Sequence, residues 1–246
     1  MRIEPGSDSP EPSNGQWLLI SDVDGTLTGD AGSLADLLEE MSEQVTVVLS
    51  SSRPVASVRR TVMGFPGRWM PAGIVGALGT EIEIAGRPDR LWNQRFASWD
   101  RRPVDAVMAE AGFESHPAEF QTPAKASFTV PSGRWDEARA AIAGLAVEAK
   151  ILVSAPSNFD VLAPGAGKEP AARHVATTLG VAPDRVATAG DEVIDLDMLS
   201  FGRGILVGNA RDEVRAAAPD GVYHADQPFA AGVREGLVSI GALRGS

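Results

Sequence analysis

The stretch Trp17-Leu18-Leu19-Ile20-Ser21-Asp22-Val23-Asp24-Gly25-Thr26-Leu27-Thr28 decides the fold of this chain. Its first four residues are an unbroken apolar run, which reads as a strand buried on both faces. The strand ends in Asp-x-Asp-Gly and so delivers two carboxylates at its C-terminal end, where open parallel sheets bind ligands. Carboxylates this close repel unless a cation lies between them, and hard oxygen ligands of this kind suit Mg²⁺. The motif therefore points to a metal-dependent site in which one aspartate could attack phosphorus. Asp and Gly are also common in plain turns, a reading that accounts for Asp-x-Asp alone more readily than for Asp-x-Asp-Gly-Thr-Leu after such a strand.

Working outward, the same alternation of strand and helix continues. A helix is expected through Ser33–Met41, with apolar residues at helical spacing and Ser33 as its N-cap. Val45-Thr46-Val47-Val48-Leu49 reads as a second buried strand, and Ser50-Ser51-Ser52-Arg53-Pro54 turns from it into another helix. Towards the C-terminus, Val186–Ala189 and Gly204–Gly208 read as two more strands. Strands alternating with helices imply right-handed crossovers, hence a parallel sheet covered by helices on both faces.

The middle departs from this pattern. Between about residues 87 and 164 the reading is a helix at Arg102–Ala111, a strand at Lys125–Val130, a helix at Arg134–Leu145 and a strand at Lys150–Ser154. The chain thus reads as an α/β, doubly wound Rossmann-like core over 16–86 and 165–246, with a small α+β cap inserted at 87–164. Residues 1–15, rich in Pro, Ser, Gly and Glu, read as a disordered leader.

Composition narrows the function classes. The 246 residues carry a formal net charge of −11, and no Lys/Arg run offsets it, which argues against a nucleic-acid partner. An anionic substrate would need a local cation, from metal or lysine. There is no cysteine, which excludes disulfides, thiolate chemistry and cysteine-held zinc. No apolar run is long enough to cross a bilayer and no signal pattern opens the chain, so the expectation is a cytoplasmic protein without a membrane partner.

Three further polar positions join the opening motif, each at a strand's carboxyl end or a helix start. Ser51 could hold a phosphate with its hydroxyl and nearby backbone N–H groups. Lys168 opens a helix, where its charge opposes the macrodipole and needs an anion nearby. The run Gly165-Ala166-Gly167-Lys168 is no P-loop, since Leu162 and Glu169 stand where glycine and a hydroxyl are required. Gly190-Asp191-Glu192-Val193-Ile194-Asp195 places two more aspartates between a strand and a helix. Taken singly, each has a bland reading as a cap, a surface lysine or a favourable first-turn acid. His116, His174 and His224 lie far apart, without metal-ligand spacing.

Taken together and in this order, the four motifs resemble the haloacid dehalogenase superfamily of phosphatases. The resemblance implies Asp22 as the nucleophile that forms an aspartyl-phosphate and Asp24 as the acid that protonates the leaving oxygen and then activates water. It further implies Ser51 and Lys168 on the phosphoryl oxygens, with Mg²⁺ held by Asp22, the Asp24 carbonyl, Asp191 and Asp195. The interval from Asp24 to Ser51 is too short for a cap, whereas more than 100 residues separate Ser51 from Lys168. That placement resembles the α+β type of cap, which in related enzymes closes over small sugar phosphates.

Local strings sharpen the match: Leu19–Asp22, Gly79-Thr80-Glu81-Ile82, Phe159–Pro164, Val207–Ala210 and Ala230–Leu237 resemble sucrose-phosphate phosphatases, and mannosylfructose-phosphate phosphatases share much of this pattern. The expected partner is a small phosphorylated sugar, bound by a monomer or homodimer. Candidate substrate-binding residues are Ser52, Arg53, Gly79, Thr80, Glu81, Lys125, Asn158 and Asn209. Trp92, Trp99 and Trp135 could stack on a sugar face, although packing is the commoner fate of tryptophan. Two departures stand out. Val193-Ile194 replaces the usual Gly-Asn pair of the last motif, and Ser51-Ser52-Arg53-Pro54 replaces Thr-Gly-Arg-Ser. A phosphomutase is the rival enzyme, and a non-catalytic sugar-phosphate-binding protein is the rival from another class.

Overall fold

The computed structural model describes residues 16–244, apart from 42, 43 and 155, so the expected leader at 1–15 lies outside the described residues. Its larger unit begins with β1 (Trp17–Asp22), α1 (Ala31–Met41), β2 (Val45–Ser50), α2 (Val55–Val62), β3 (Gly73–Gly76), β4 (Glu81–Ile84), β5 (Arg87–Pro88) and α3 (Arg90–Gln94). The smaller unit follows as α4 (Arg102–Glu110), β6 (Glu114–Ser115), β7 (Lys125–Thr129), α5 (Trp135–Ala143), β8 (Lys150–Ser154) and β9 (Asn158–Leu162). The chain then returns to the larger unit through α6 (Lys168–Thr178), β10 (Val186–Gly190), α7 (Leu196–Leu199), β11 (Arg203–Leu206), α8 (Asp212–Ala217), β12 (Tyr223–His224) and α9 (Phe229–Ser239).

The large sheet has the order β12-β11-β10-β1-β2-β3-β4-β5 and is parallel from β12 to β3. Strand β1 is apolar throughout because both of its faces are covered. Leu19 packs with α1, α2 and α9, while Leu18 and Ile20 pack with α6, α7 and α3. Chain order reverses between β1 and β10, which creates the crevice where open α/β sheets place their ligands. Asp22 ends β1, and Asp191 follows β10 directly.

Strands β4 and β5 run antiparallel, a departure from the all-parallel expectation with a local cause. Only Ala85 and Gly86 join them, at φ 49° and 73°, the two left-handed residues of a tight hairpin turn. The cap boundary expected at 87 is therefore corrected: Arg87–Pro88 is the edge of the large sheet, and Trp92 on α3 is buried among core residues. The first helix is capped by Asp30, whose Oδ1 accepts the Ser33 N–H at 2.6 Å, and not by Ser33. Helix α2 starts only at Val55, after Pro54, so Ser51 lies in a loop rather than at the helix start.

The cap is a four-stranded antiparallel sheet, β6-β7-β9-β8. Alternation gives it two unlike faces. Ala126, Phe128, Phe159 and Val161 pack under α4 and α5, which leaves Lys125, Ser127, Asn158 and Asp160 for the opposite face. No helix among the described residues is long and apolar enough to cross a membrane.

Candidate active site

The centre of the site is an ion cluster that the chain assembles from distant segments. Lys168 Nζ lies 2.5 Å from Asp22 Oδ1 and 2.6 Å from Asp195 Oδ1, and also reaches the Ser50 carbonyl at 3.4 Å. Its side chain is 1% exposed. A charge this deep is tolerated only when paired, and the anion that its helix-start position demanded is supplied twice over. Asp191 is held by Thr26, whose hydroxyl donates to Oδ1 at 2.6 Å. Gly25, at φ 84°, makes room for it, since a Cβ there would sit 2.6 Å from Asp191 Oδ2.

Three buried or half-buried carboxylates surround one ammonium, so negative charge is in excess. Burial pushes the Asp22 carboxyl from 3.8 up to about 8; Lys168 opposes the shift, and Asp195 and Asp191 add to it. Burial likewise pushes Asp191 up to about 6, against the Thr26 hydrogen bond and with help from Asp195 and Glu192. For Lys168, burial favours the neutral amine, but Asp195 and Asp22 outweigh it and hold the group above its ordinary range. One oxygen from each of Asp22, Asp191 and Asp195 lies within 4.8 Å of the others.

This all-oxygen donor set, short of positive charge, fits a hard divalent cation such as Mg²⁺. The three acids are not equivalent, however. Asp195 Oδ1 accepts from Lys168, and its Oδ2 accepts the N–H groups of Asp191 at 3.2 Å and Glu192 at 3.1 Å. It is fully buried and spends its lone pairs on its own loop and on Lys168. Among the described residues no hydrogen bond reaches the second oxygens of Asp22 and Asp191, which leaves these two as the residues that would hold the ion. Asp195, expected as a direct ligand, thus braces Lys168 and the loop of Asp191 with the oxygens that it brings to the cluster. Ile194 contributes no ligand either; it packs half-buried against the same apolar cluster as Leu152 of β8.

Asp24 stands apart from this cluster. Its carboxylate is gripped by Arg53, with Nε to Oδ2 at 2.7 Å and Nη2 to Oδ1 at 3.0 Å. The guanidinium is itself fixed to Thr61 at 2.9 Å and Ser57 at 3.4 Å on α2. Of Asp24 only the carbonyl then remains for a cation. Ser51 is buried beside the cluster, and its hydroxyl accepts the Arg53 N–H at 3.1 Å.

Between this centre and the cap lies a cavity of about 360 Å³, walled by Ser52 and Arg53 from the core and by His116, Lys125, Asn158 and Asp160 from the cap. Lys125 is 3% exposed; its Nζ donates to the Ser52 carbonyl at 3.0 Å and lies 3.2 Å from Asp160 Oδ1. The Ser127 hydroxyl also donates to Asp160, at 2.5 Å. Burial, aided by Lys125 and opposed by Asp160, holds His116 below its ordinary value.

Four expected substrate residues lie elsewhere. Glu81 accepts the Val55 N–H at 2.9 Å and faces a different cavity, because the start of α2 needs an acceptor. The Thr80 hydroxyl is turned back to the Ala77 carbonyl at 3.0 Å. Gly79 is buried, with its carbonyl taken by the Trp92 indole at 2.9 Å. Asn209 donates to the Gly25 carbonyl at 2.8 Å and accepts the Phe229 N–H at 2.9 Å, which secures the loop that carries the aspartates. Sequence reasoning missed His116 and Asp160. The signals for Asp160 were its place in the Phe159–Pro164 string and its phase in β9, opposite Phe159 and Val161; for His116 there was none.

A family model described as sucrose-6F-phosphate phosphohydrolase matches residues 15–239. The chain is similar to the mannosylfructose-phosphate phosphatase of Agrobacterium fabrum, 26% identical over 236 residues that cover 89% of this chain and 95% of that one. It is 27% identical over 158 residues to a probable sucrose-phosphatase of Arabidopsis thaliana, a match that takes in 58% of this chain and 37% of the longer plant protein. The sucrose-phosphatase of Synechocystis sp. PCC6803, solved with sucrose and phosphate, superposes with a TM-score of 0.83 at 22% identity, covering 92% of this chain and 98% of that one. A sugar phosphatase of haloacid dehalogenase subclass IIB superposes at 0.71 with 15% identity, over 93% and 100% of the two chains. The shared fold, the matched family model and the buried aspartate–lysine centre agree: the chain belongs to the sucrose-6F-phosphate phosphohydrolase family and is a phosphoric monoester hydrolase on the haloacid dehalogenase fold.

Proposed function

We propose that the protein hydrolyses a phosphorylated sugar through an aspartyl-phosphate on Asp22, with Mg²⁺ bound by Asp22, Asp191 and the Asp24 carbonyl. The observation that carries this reading is the Asp22 carboxylate, held by buried Lys168 beside Asp191 at the carboxyl end of the central strand. A free Asp22 oxygen attacks phosphorus, and the bond from phosphorus to the sugar oxygen breaks. Asp24, kept by Arg53 through one oxygen, gives a proton from the other to that oxygen as the sugar leaves. Asp24 then takes a proton from water, the resulting hydroxide adds to phosphorus, and Asp22 departs as a carboxylate with release of inorganic phosphate. Lys168 and the Ser51 hydroxyl steady the phosphoryl oxygens through both halves. When bound, the cation supplies the positive charge that brings an anionic phosphate up to three acids.

The family is named for sucrose-6F-phosphate and one relative for mannosylfructose-phosphate, and the cavity of about 360 Å³ has room for more than one hexose ring. The test is phosphate release from sucrose 6-phosphate and a panel of hexose and disaccharide phosphates, in Mg²⁺ and in excess chelator. Release from at least one sugar phosphate of the panel, in the Mg²⁺ arm alone, is the expected result. Undiminished release in chelator would remove the cation from this account, and no release from any member would refute the substrate class.

A further inference from the structure

Three consecutive residues after β3 are left-handed: Ala77 at φ 49°, Leu78 at 56° and Gly79 at 84°. Ala77 and Leu78 are both fully buried. L-residues avoid this conformation unless their surroundings enforce it, and such departures cluster where geometry serves function. The surroundings here are the catalytic loops. The Ala77 N–H donates to the Arg53 carbonyl at 2.8 Å, and the Leu78 N–H donates to the Ser51 carbonyl at 3.0 Å. Gly79 packs against Gly167 so closely that a Cβ on it would overlap the Gly167 carbonyl, one residue before Lys168. On its other side the Gly79 carbonyl receives the indole N–H of Trp92. Trp92 is buried on α3, where the chain leaves the core for the cap, and Gly167 lies where it has just returned.

We propose that the Ala77–Gly79 turn is a positioning element for phosphoryl transfer, setting the Ser51–Arg53 loop and Lys168 in register with each other and with both chain segments that lead to the cap. Ser51 and Lys168 must meet the same phosphoryl group, yet they come from loops more than 100 residues apart. Errors of a fraction of an ångström between such groups are costly to rate. A turn locked by burial and by three hydrogen bonds to fixed partners transmits no slack. Gly79 thus acts through Lys168, without touching the sugar cavity, and Trp92 acts through Gly79. This inference rests on the phosphatase reading above.

The decisive variant is Trp92→Phe, which deletes the indole N–H and keeps an aromatic ring against Phe96 and His174. With para-nitrophenyl phosphate, which makes few cap contacts, kcat is expected to fall about threefold to tenfold, and inhibition by orthovanadate to weaken by a similar factor. The matched control is Trp99→Phe, whose indole donates to the Glu148 carbonyl in the cap at 2.9 Å, away from the turn. It should leave both values within about twofold. Gly79→Ala, which forces Gly167 to move, should lose about a hundredfold in kcat; if it fails to fold, Trp92→Phe alone decides. A Trp92→Phe protein with lowered Tm but with vanadate affinity and turnover equal to those of Trp99→Phe would overturn the proposal, because the turn would then serve the fold alone. A wild-type protein inactive on para-nitrophenyl phosphate and on every sugar phosphate of the panel above would instead refute the phosphatase reading, before any variant is made.

Discussion

Replacing Asp22 by asparagine should abolish turnover and, in the same protein, stabilise the metal-free fold. The two effects share one cause, three acids crowded around Lys168. Burial holds the Asp22 carboxyl at about 8 in the folded chain against 3.8 in the unfolded one. Between those values the folded state binds more protons than the unfolded state, so stability falls as pH rises across the window. The cost of ionising Asp22 is absent below pH 4 and complete above pH 8. About four pKa units at about 1.4 kcal/mol each set a ceiling near 6 kcal/mol. The pull of Lys168 is already contained in that shift, and relaxation around the site brings the expected gain for Asp22→Asn to about 1–3 kcal/mol at pH 8. Urea denaturation in chelator from pH 4 to pH 8.5 measures it, and the gap between the two proteins should widen steadily with pH. Added Mg²⁺ should reverse the order, because only the wild type gains binding energy in the folded state. Phosphate release should drop by several orders of magnitude, since an amide does not attack phosphorus. A variant less stable than wild type in chelator at pH 8, or one that keeps a tenth of the turnover, would refute this account of the cluster.

Other variants separate the parts of the site. Arg53→Ala removes the fork that positions the Asp24 carboxyl and should cost about ten- to a hundredfold in kcat on a sugar phosphate, whose leaving group needs the proton, with far less effect on para-nitrophenyl phosphate. Arg53→Lys should not restore it, because a single ammonium cannot make the two-pronged contact; equal losses on both substrates would show that Arg53 serves the phosphate instead. Lys125→Ala should weaken hydrolysis of the preferred sugar phosphate by about 1–3 kcal/mol in transition-state terms and leave the aryl phosphate nearly unchanged. Equal loss on both would mean that its bond to the Ser52 carbonyl supports the core rather than recognising sugar. Asp191→Ala should abolish both Mg²⁺-stimulated release and the rise in Tm on adding Mg²⁺; persistence of either would move the ion elsewhere.

The elements legible in the sequence were those buried on both faces. Val45–Leu49 and Val186–Ala189 announce themselves as β2 and β10 by unbroken apolar runs. Strands β3, with glycine at both ends, and β9, with its alternating polar residues, carry no such run. At the site, Lys168 was legible because a cation at a helix start demands an anion, although sequence could not say that Asp195 would supply half of it. Arg53 looked like a substrate ligand, and only the folded chain shows its fork turned on Asp24. Gly79, Thr80, Glu81 and Asn209 were singled out beside the chemistry, and each spends its polar groups on the backbone that carries it. Neighbours in sequence share a loop, but whether a side chain faces the ligand or braces that loop depends on partners far along the chain.

The insertion of the cap into the middle of the core also sets an order of assembly during synthesis. Strand β1 needs β10 on one side, pairing Leu18 with Val186, and β2 on the other. Every strand of the cap leaves the ribosome before β10 does, and the cap sheet pairs only within residues 114–162. The nascent chain can therefore complete the cap while one edge of β1, carrying Asp22, is still open. Distant pairings of this kind form slowly and leave strand edges exposed in the meantime. The ion cluster closes only after the whole cap has emerged, since Lys168 and Asp195, which join Asp22, both follow β9 in the chain. A chain arrested after β9 would hold a finished lid over an unfinished enzyme.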